Sequence, residues 1–215
     1  MDWLTKEAVR YLGYKNSPVD TQTLSLIKEA FLSLKSVARK KSICRVFDLK
    51  REDDRLLFAD ISTDSRSLMR NLEECEKVIL FGATLGSEVD RLIDRMSIID
   101  IAKAVVMQSC AAALLEEYCD ACQDELAVEF EKEKYFLRPR FSPGYGDFSI
   151  EYQKNIIHLL DSAKKIGLTI TDSYMMSPKK SVTAIIGLSR RDRRCCKSGC
   201  EVCEKTDCVF RRNSK

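Results

Sequence analysis

Apolar residues recur at two periods along the chain, and the alternation between them sets out the elements. Thr5 to Tyr14 carries Ala8, Val9, Tyr11 and Leu12 on one helical stripe, with Gly13 as a stop. After the break at Asn16-Ser17-Pro18, Leu24, Ile27, Ala30, Phe31, Leu34 and Val37 mark an amphipathic helix over Thr21 to Lys40. Ile43–Leu49 and Leu56–Ile61 read as strands joined by a polar turn at Lys50–Asp54, and Val78–Ala83 as a third strand near Gly82 and Gly86. Two helical stretches follow, Glu88–Met96 and Ile99–Glu133, the second with room for a break. Tyr135–Phe141 reads as a strand entering a Pro-Gly loop. Ser149–Ile166 reads as a helix stopped by Gly167, and Leu168–Tyr174 and Val182–Leu188 as closing strands. Strands and helices mix without a strict βαβ rhythm, which makes the class α+β. The folded body is expected over residues 1–189, and residues 190–215 form an Arg-, Lys- and Cys-rich tail.

Composition narrows the functional classes. The 215 residues are 45% hydrophobic and 32% charged, with 36 Lys+Arg against 33 Asp+Glu, leaving +3. So small and mixed a surplus argues against nucleic acid as the main partner. No apolar run approaches the roughly 20 residues that span a bilayer. The opening Met1-Asp2-Trp3 lacks the basic start and apolar stretch of a secretory signal, so the protein is expected in the cytoplasm without membrane partners. In that compartment ten cysteines read as thiols or metal ligands rather than disulfides.

The most informative stretch is Arg140-Phe-Ser-Pro-Gly-Tyr-Gly-Asp147. Glycines on both sides of an aromatic residue free the backbone and let a ligand approach it. Asp147 or Ser149 is expected to cap the following helix, whose first amides favour an anion. Arg140 can hold a carboxylate through two parallel hydrogen bonds. A small ligand with a carboxylate and a planar or apolar part would suit this set. An ordinary strand-to-helix turn with an exposed Tyr is the plainer alternative.

Context decides between them. Arg140-x-x-x-Gly144-Tyr145, followed by Ile150-Glu-Tyr-Gln-Lys-Asn-Ile-Ile-His-Leu-Leu-Asp161, Ile166-Gly-Leu-Thr-Ile-Thr-Asp-Ser-Tyr-Met-Met-Ser-Pro178 and Lys180-Ser-Val-Thr-Ala-Ile-Ile-Gly-Leu188, resembles the reactivation domain of cobalamin-dependent methionine synthase. Upstream, Glu7-Ala-Val-Arg-Tyr-Leu-Gly-Tyr14 and Ala83-Thr-Leu-Gly86 are similar to its small, free-standing members, so the likeness spans roughly residues 3–189. It implies a mostly antiparallel twisted sheet flanked by helices. It further implies that Arg140 binds the carboxylate of S-adenosylmethionine. Backbone groups at Ser142 and Gly144, with Gly146 beside them, would hold the rest. Tyr145 would lie between the sulfonium and a partner's corrin, the position nearest the chemistry. Asp2 is the counterpart of a family aspartate on the ammonium. One family tyrosine, shortly after the last strand, has no equivalent here: Arg193–Cys195 stands in its place.

The implied function is a reactivation subunit that supports reductive methylation of cob(II)alamin on a separate methionine synthase. The chain would thus take part in that methyltransferase activity, served by an electron donor such as flavodoxin or ferredoxin. The alternatives are a non-catalytic S-adenosylmethionine-binding module, an activator of another corrinoid methyltransferase, or a structural metal protein with a decayed pocket. The single histidine, His158, lacks the Asp-x-His-x-x-Gly context of a cobalamin ligand and reads as a surface or satisfied core residue, so the cobalamin is expected on the partner.

The tail adds a second candidate chemistry. Cys196-x3-Cys200-x2-Cys203-x4-Cys208 places four thiols in a segment with little apolar content, and a metal is a natural organiser for it. Zinc and an iron–sulfur cluster both fit four thiolates, and free, redox-labile thiols are the alternative. Cys196, Cys200 and Cys203 match the radical S-adenosylmethionine spacing, but that motif sits ahead of a βα barrel and here it ends the chain. Cys44, Cys75, Cys110, Cys119 and Cys122 read as small buried hydrophobes.

Overall fold

The computed structural model describes residues 1–14 and 17–192. Their order is α1 (Trp3–Tyr11), α2 (Thr21–Val37), β1 (Lys41–Asp48), β2 (Lys50–Glu52), β3 (Arg55–Phe58), β4 (Ile61–Thr63), α3 (Arg66–Asn71), β5 (Cys75–Thr84), α4 (Ser87–Ile99), α5 (Ile101–Glu131), β6 (Phe136–Leu137), α6 (Tyr152–Leu160), α7 (Ser162–Ile166), β7 (Thr169–Ile170), β8 (Met176–Ser177) and β9 (Ser181–Ser189).

The centre is a four-stranded sheet in the order β1-β5-β9-β6, antiparallel throughout. Its two middle strands are apolar on both faces, which is why Val78–Phe81 and Ala184–Ile186 read as continuous hydrophobic runs. Alternate residues serve different layers. Ile79, Phe81, Ala83, Ala184, Ile186 and Leu188 pack under α1, α2, α4 and α5. Val78, Leu80 and Ile185 face the other way, against Leu56, Phe58 and Ile61 of the small β2-β3-β4 sheet, Leu68 and Leu72 of α3, and Ile156 and Leu160 of α6. Val78, Ile79, Leu80 and Phe81 are at most 2% exposed, which is worth on the order of 10 kcal/mol of gross burial. The architecture is α+β, as the mixed pattern implies.

Several elements differ from the expectation. α5 runs unbroken for 31 residues, and the break falls before it, at Asp100, whose side chain accepts from the Lys103 amide. Leu56–Ile61 is two strands, turned at Ala59 with φ +51°. Tyr135–Phe141 pairs only at Phe136–Leu137 and again at Phe141, and Leu168–Tyr174 only at Thr169–Ile170. The helix expected over Ser149–Ile166 begins at Tyr152 and splits at Asp161, which sits at φ +50°. β9 ends at Ser189; the Cys196, Cys200, Cys203 and Cys208 set and the Arg193–Cys195 position lie outside the described residues.

Cys75, Cys110, Cys119 and Cys122 are buried, but Cys44 is exposed because β1 is the sheet's edge strand. His158 is exposed on α6. Among the described residues no helix is long and apolar enough to cross a membrane, and no group of three His, Cys, Asp or Glu is arranged to hold a metal.

Candidate functional site

Arg140 owes its position to an irregularity in the sheet. The Arg138 amide donates to the Gly187 carbonyl at 2.8 Å, and Phe141 and Ile185 then exchange bonds of 2.9 and 2.8 Å. From 138 to 141 the chain takes three steps while β9 takes two. The surplus lies at Pro139-Arg140, where proline has no N–H to offer the ladder. Such a bulge turns a side chain away from the regular pleat. It turns Arg140 towards α5.

There the guanidinium meets three acceptors. Nη2 donates to Asp120 Oδ1 at 2.7 Å and to Glu116 Oε2 at 3.2 Å, and Nη1 donates to Gln123 Oε1 at 3.0 Å. Residues 116, 120 and 123 stand at i, i+4 and i+7, one face of a helix. Burial works against the Arg140 charge, but the Asp120 bond and the neighbouring Glu116 outweigh it, so its affinity for the proton is raised. Cys119, next to this cluster, is pushed up to about 12 by burial, with Arg140 only partly opposing. It therefore stays a thiol at neutral pH.

Beyond Phe141 the loop closes on itself. The Tyr145 amide donates to the Ser142 carbonyl at 3.1 Å, the Gly144 amide to Phe148 O at 2.8 Å, and the Phe148 amide to Tyr145 O at 3.0 Å. Those bonds hold the turn and leave a ligand the second lone pair of the Ser142 carbonyl. Gly144 and Gly146 sit at φ +91° and +55°. A Cβ on Gly146 would lie 2.6 Å from Ser67 Oγ and 2.8 Å from Ser67 Cβ, so both backbone angle and space demand glycine there.

Asp147 is the main local correction. It does not cap the helix that follows. It accepts from the Ser65 hydroxyl at 2.6 Å and from the Arg66 and Ser67 amides at 2.8 and 3.0 Å, and so joins Ser65 in capping α3, some 80 positions earlier. These donors, Ser65 foremost, hold its carboxyl well below the usual aspartate range. α6 has no side-chain cap at Glu151 and starts beyond the loop; Ser149 Oγ only accepts from the Glu151 amide at 3.3 Å. The expected anion seat at that helix start is therefore not part of the loop.

An aromatic series links the loop to the core. Tyr145 meets Phe141 edge-on at 6.0 Å, Phe141 lies 6.3 Å from Phe148, and Phe148 stacks on Tyr152 at 4.9 Å. The Tyr152 hydroxyl donates to Ser62 O at 2.9 Å. Phe148 is 1% exposed and Tyr145 59%, so the series ends in an aromatic plate facing solvent. The Tyr145 phenol is held above its ordinary value by desolvation and then by Glu116, against Arg140, and so keeps its proton at neutral pH.

The structure thus brings Arg140, Ser142, Gly144, Tyr145 and Gly146 together on one loop. Asp2 is not on the loop: it caps α1 through Thr5 at 2.8 Å and lines a groove of about 520 Å³ with Trp3, Phe31, Lys35 and Glu117. Glu116, Asp120 and Gln123 were not singled out from the sequence. Their signal was the polar i, i+4, i+7 stripe on α5, which looks like any solvated face until Arg140 is placed against it.

Comparison with known proteins gives a family and a fold. A family model described as vitamin B12 dependent methionine synthase, activation domain, matches residues 87–194. No curated protein matches. Among solved structures, the MetH reactivation domain bound to AdoHcy superposes with a TM-score of 0.61 at 18% identity, covering 82% of this chain and 68% of that one. The matched residues hold α4, α5, the Arg140–Asp147 loop and β9, half of the chain and all of the site. The chain belongs to the vitamin B12 dependent methionine synthase activation domain family.

Proposed function

We propose that the Arg140–Asp147 loop binds S-adenosylmethionine and that the chain is a reactivation subunit for a separate cobalamin-dependent methionine synthase. The observation that carries the reading is the pairing, on one loop, of a fixed guanidinium with a solvent-facing Tyr145 ring. The donor set fits the ligand: Arg140 for its carboxylate, Glu116 and Asp120 for a cation beside it, and the Ser142 carbonyl and the glycine backbone for close approach. The neighbour's AdoHcy is the same amino acid and nucleoside without the methyl group.

The protein's own work is positional. Arg140 orients the amino acid end with two parallel hydrogen bonds. Gly144 and Gly146 bring the backbone close, and Tyr145 covers the ligand's sulfur where a partner would dock, which excludes water. Cobalamin on the partner supplies the acceptor for the methyl group in the reductive methylation of cob(II)alamin. An electron donor of the flavodoxin or ferredoxin kind completes the reaction. The body at residues 1–189 does this work in the cytoplasm. Cys196, Cys200, Cys203 and Cys208 in the tail at residues 190–215 bind zinc or an iron–sulfur cluster.

The direct test is a reductive methylation assay with a cobalamin-loaded methionine synthase fragment, followed by its absorbance. Methylation that depends on the added chain and is lost with Arg140→Ala supports the reading. S-adenosylmethionine binding without any methylation would favour the alternative of a binding module or an activator of another corrinoid methyltransferase. That alternative draws on the missing later tyrosine of the family, with Arg193–Cys195 in its place, together with the added Cys-rich tail.

A further inference from the structure

Arg140 does not wait for a carboxylate with an uncompensated charge. Two carboxylates of α5, Asp120 at 2.7 Å and Glu116 at 3.2 Å, already face it, and the third partner, Gln123, is neutral. The cluster therefore holds one more negative group than positive. Among the described residues, its neighbours do not redress the balance. Cys119 stays protonated, as do Tyr145 and Tyr11, which both feel the Glu116 charge. Arg10 and Glu7 on α1 pair with each other at 2.6 Å and cancel. Lys40 is paired with Glu117. Asp120 has a side chain 52% exposed and Glu116 34%, so either can turn to a ligand without being dug out of the core.

This charge count has a consequence for a ligand held through its carboxylate. In S-adenosylmethionine the carbon bearing the carboxylate also bears an ammonium, and a sulfonium follows two methylenes later. Asp120 and Glu116 touch Arg140 at 2.7 and 3.2 Å, so with the carboxylate on Arg140 both cations would come within reach of the α5 carboxylates. S-adenosylhomocysteine presents the same carboxylate and ammonium but a neutral thioether. We infer that Glu116 and Asp120 read the charge on the ligand's sulfur, so that the site prefers the sulfonium to the thioether. The inference rests on the ligand reading above and adds two specificity-determining residues to it.

The preference gives ligand exchange a direction. When the methyl group leaves, the C–S bond breaks and its electron pair stays on sulfur, so the ligand loses one positive charge while the site keeps its surplus negative one. The spent ligand is then held less tightly than the fresh one. A charge pair at this separation in a partly solvated site is worth a factor of several, and less as salt is added.

The test is titration calorimetry of both ligands into the full chain, its Asp120→Asn variant and its Glu116→Gln variant, at low and at physiological salt. The wild type is expected to bind S-adenosylmethionine about five- to tenfold tighter than S-adenosylhomocysteine. Each variant should lower that ratio about threefold, and salt should lower it in the wild type. Unchanged melting of the variants excludes misfolding as the cause. A ratio that neither variant moves, or a gain in affinity for both ligands alike, would overturn the inference and make the α5 carboxylates simple competitors for Arg140. If neither ligand binds the wild type, the ligand reading itself fails and this inference with it.

Discussion

The two ends of the Arg140–Asp147 loop are charged residues held in opposite ways. Asp147 is bound inward, by a hydroxyl and two backbone amides of the α3 start, all within 3.0 Å. Those donors belong to the scaffold and have nowhere else to turn. Arg140 is bound by three side chains of α5, two of which are acids that a ligand can rearrange. One end anchors the loop, and on the proposed reading the other is available for exchange with a ligand. Between them, Gly146 fits against Ser67 and Tyr145 lies open. The difference teaches that carboxylate and guanidinium in one motif need not both be ligand groups: a partner made of backbone marks scaffold, and a partner made of side chains marks a site.

The sharpest way to break the anchor is Gly146→Ala. The added methyl meets Ser67 at under 3 Å in a left-handed backbone conformation. It should cost about 2–3 kcal/mol of stability in urea denaturation and weaken ligand binding as the loop shifts. An unchanged urea midpoint would show that the loop is not pressed on α3.

Asp147→Ala removes the three accepted bonds and should cost about 1 kcal/mol, a figure kept low because the carboxylate is exposed. It should also change the acid limb. The folded carboxyl lies below its unfolded value of 3.8, so its contribution is complete above about pH 4 and is lost as pH falls below that. The wild type should lose this stability in acid while the variant does not. Parallel acid limbs in the two proteins would remove Asp147 as the anchor.

The smallest effect belongs to Tyr145→Phe. The ring is 59% exposed, and its hydroxyl makes no hydrogen bond among the described residues. Melting should stay within about 1 °C, since a change under ~0.2 kcal/mol is expected. Ligand affinity should stay within about twofold, because the ring face does the covering. A tenfold loss would assign the hydroxyl a direct contact.

Much of the fold was legible because the relevant signals are local. Val78–Ala83 and Val182–Leu188 stand out as apolar runs since both faces of their strands are covered, and α2 shows its stripe because only one of its faces is. α3 was missed: six residues give too little periodicity, and half of its cap, Asp147, comes from 80 residues away. The Ser149–Ile166 helix splits at Asp161, which adopts a left-handed angle that sequence pattern does not mark in a non-glycine residue. At the candidate site, the Arg140–Asp147 sequence marks an unusual loop, and it is the family resemblance, rather than spacing, that singles out Arg140, Tyr145 and the glycines. The role of Asp147 and the α5 partners of Arg140 were not, because both are set by a one-residue bulge and by helix placement, which are tertiary facts.

The central claim is that Arg140 is the exchangeable end, the anchor for a ligand carboxylate. Its most direct test is calorimetric titration of S-adenosylmethionine into the full chain and into Arg140→Ala. The wild type should release heat with one site per chain. The variant should lose at least about 30-fold in affinity, or about 2 kcal/mol, while melting close to the wild type. Equal binding by both proteins, or none by the wild type, would contradict the account.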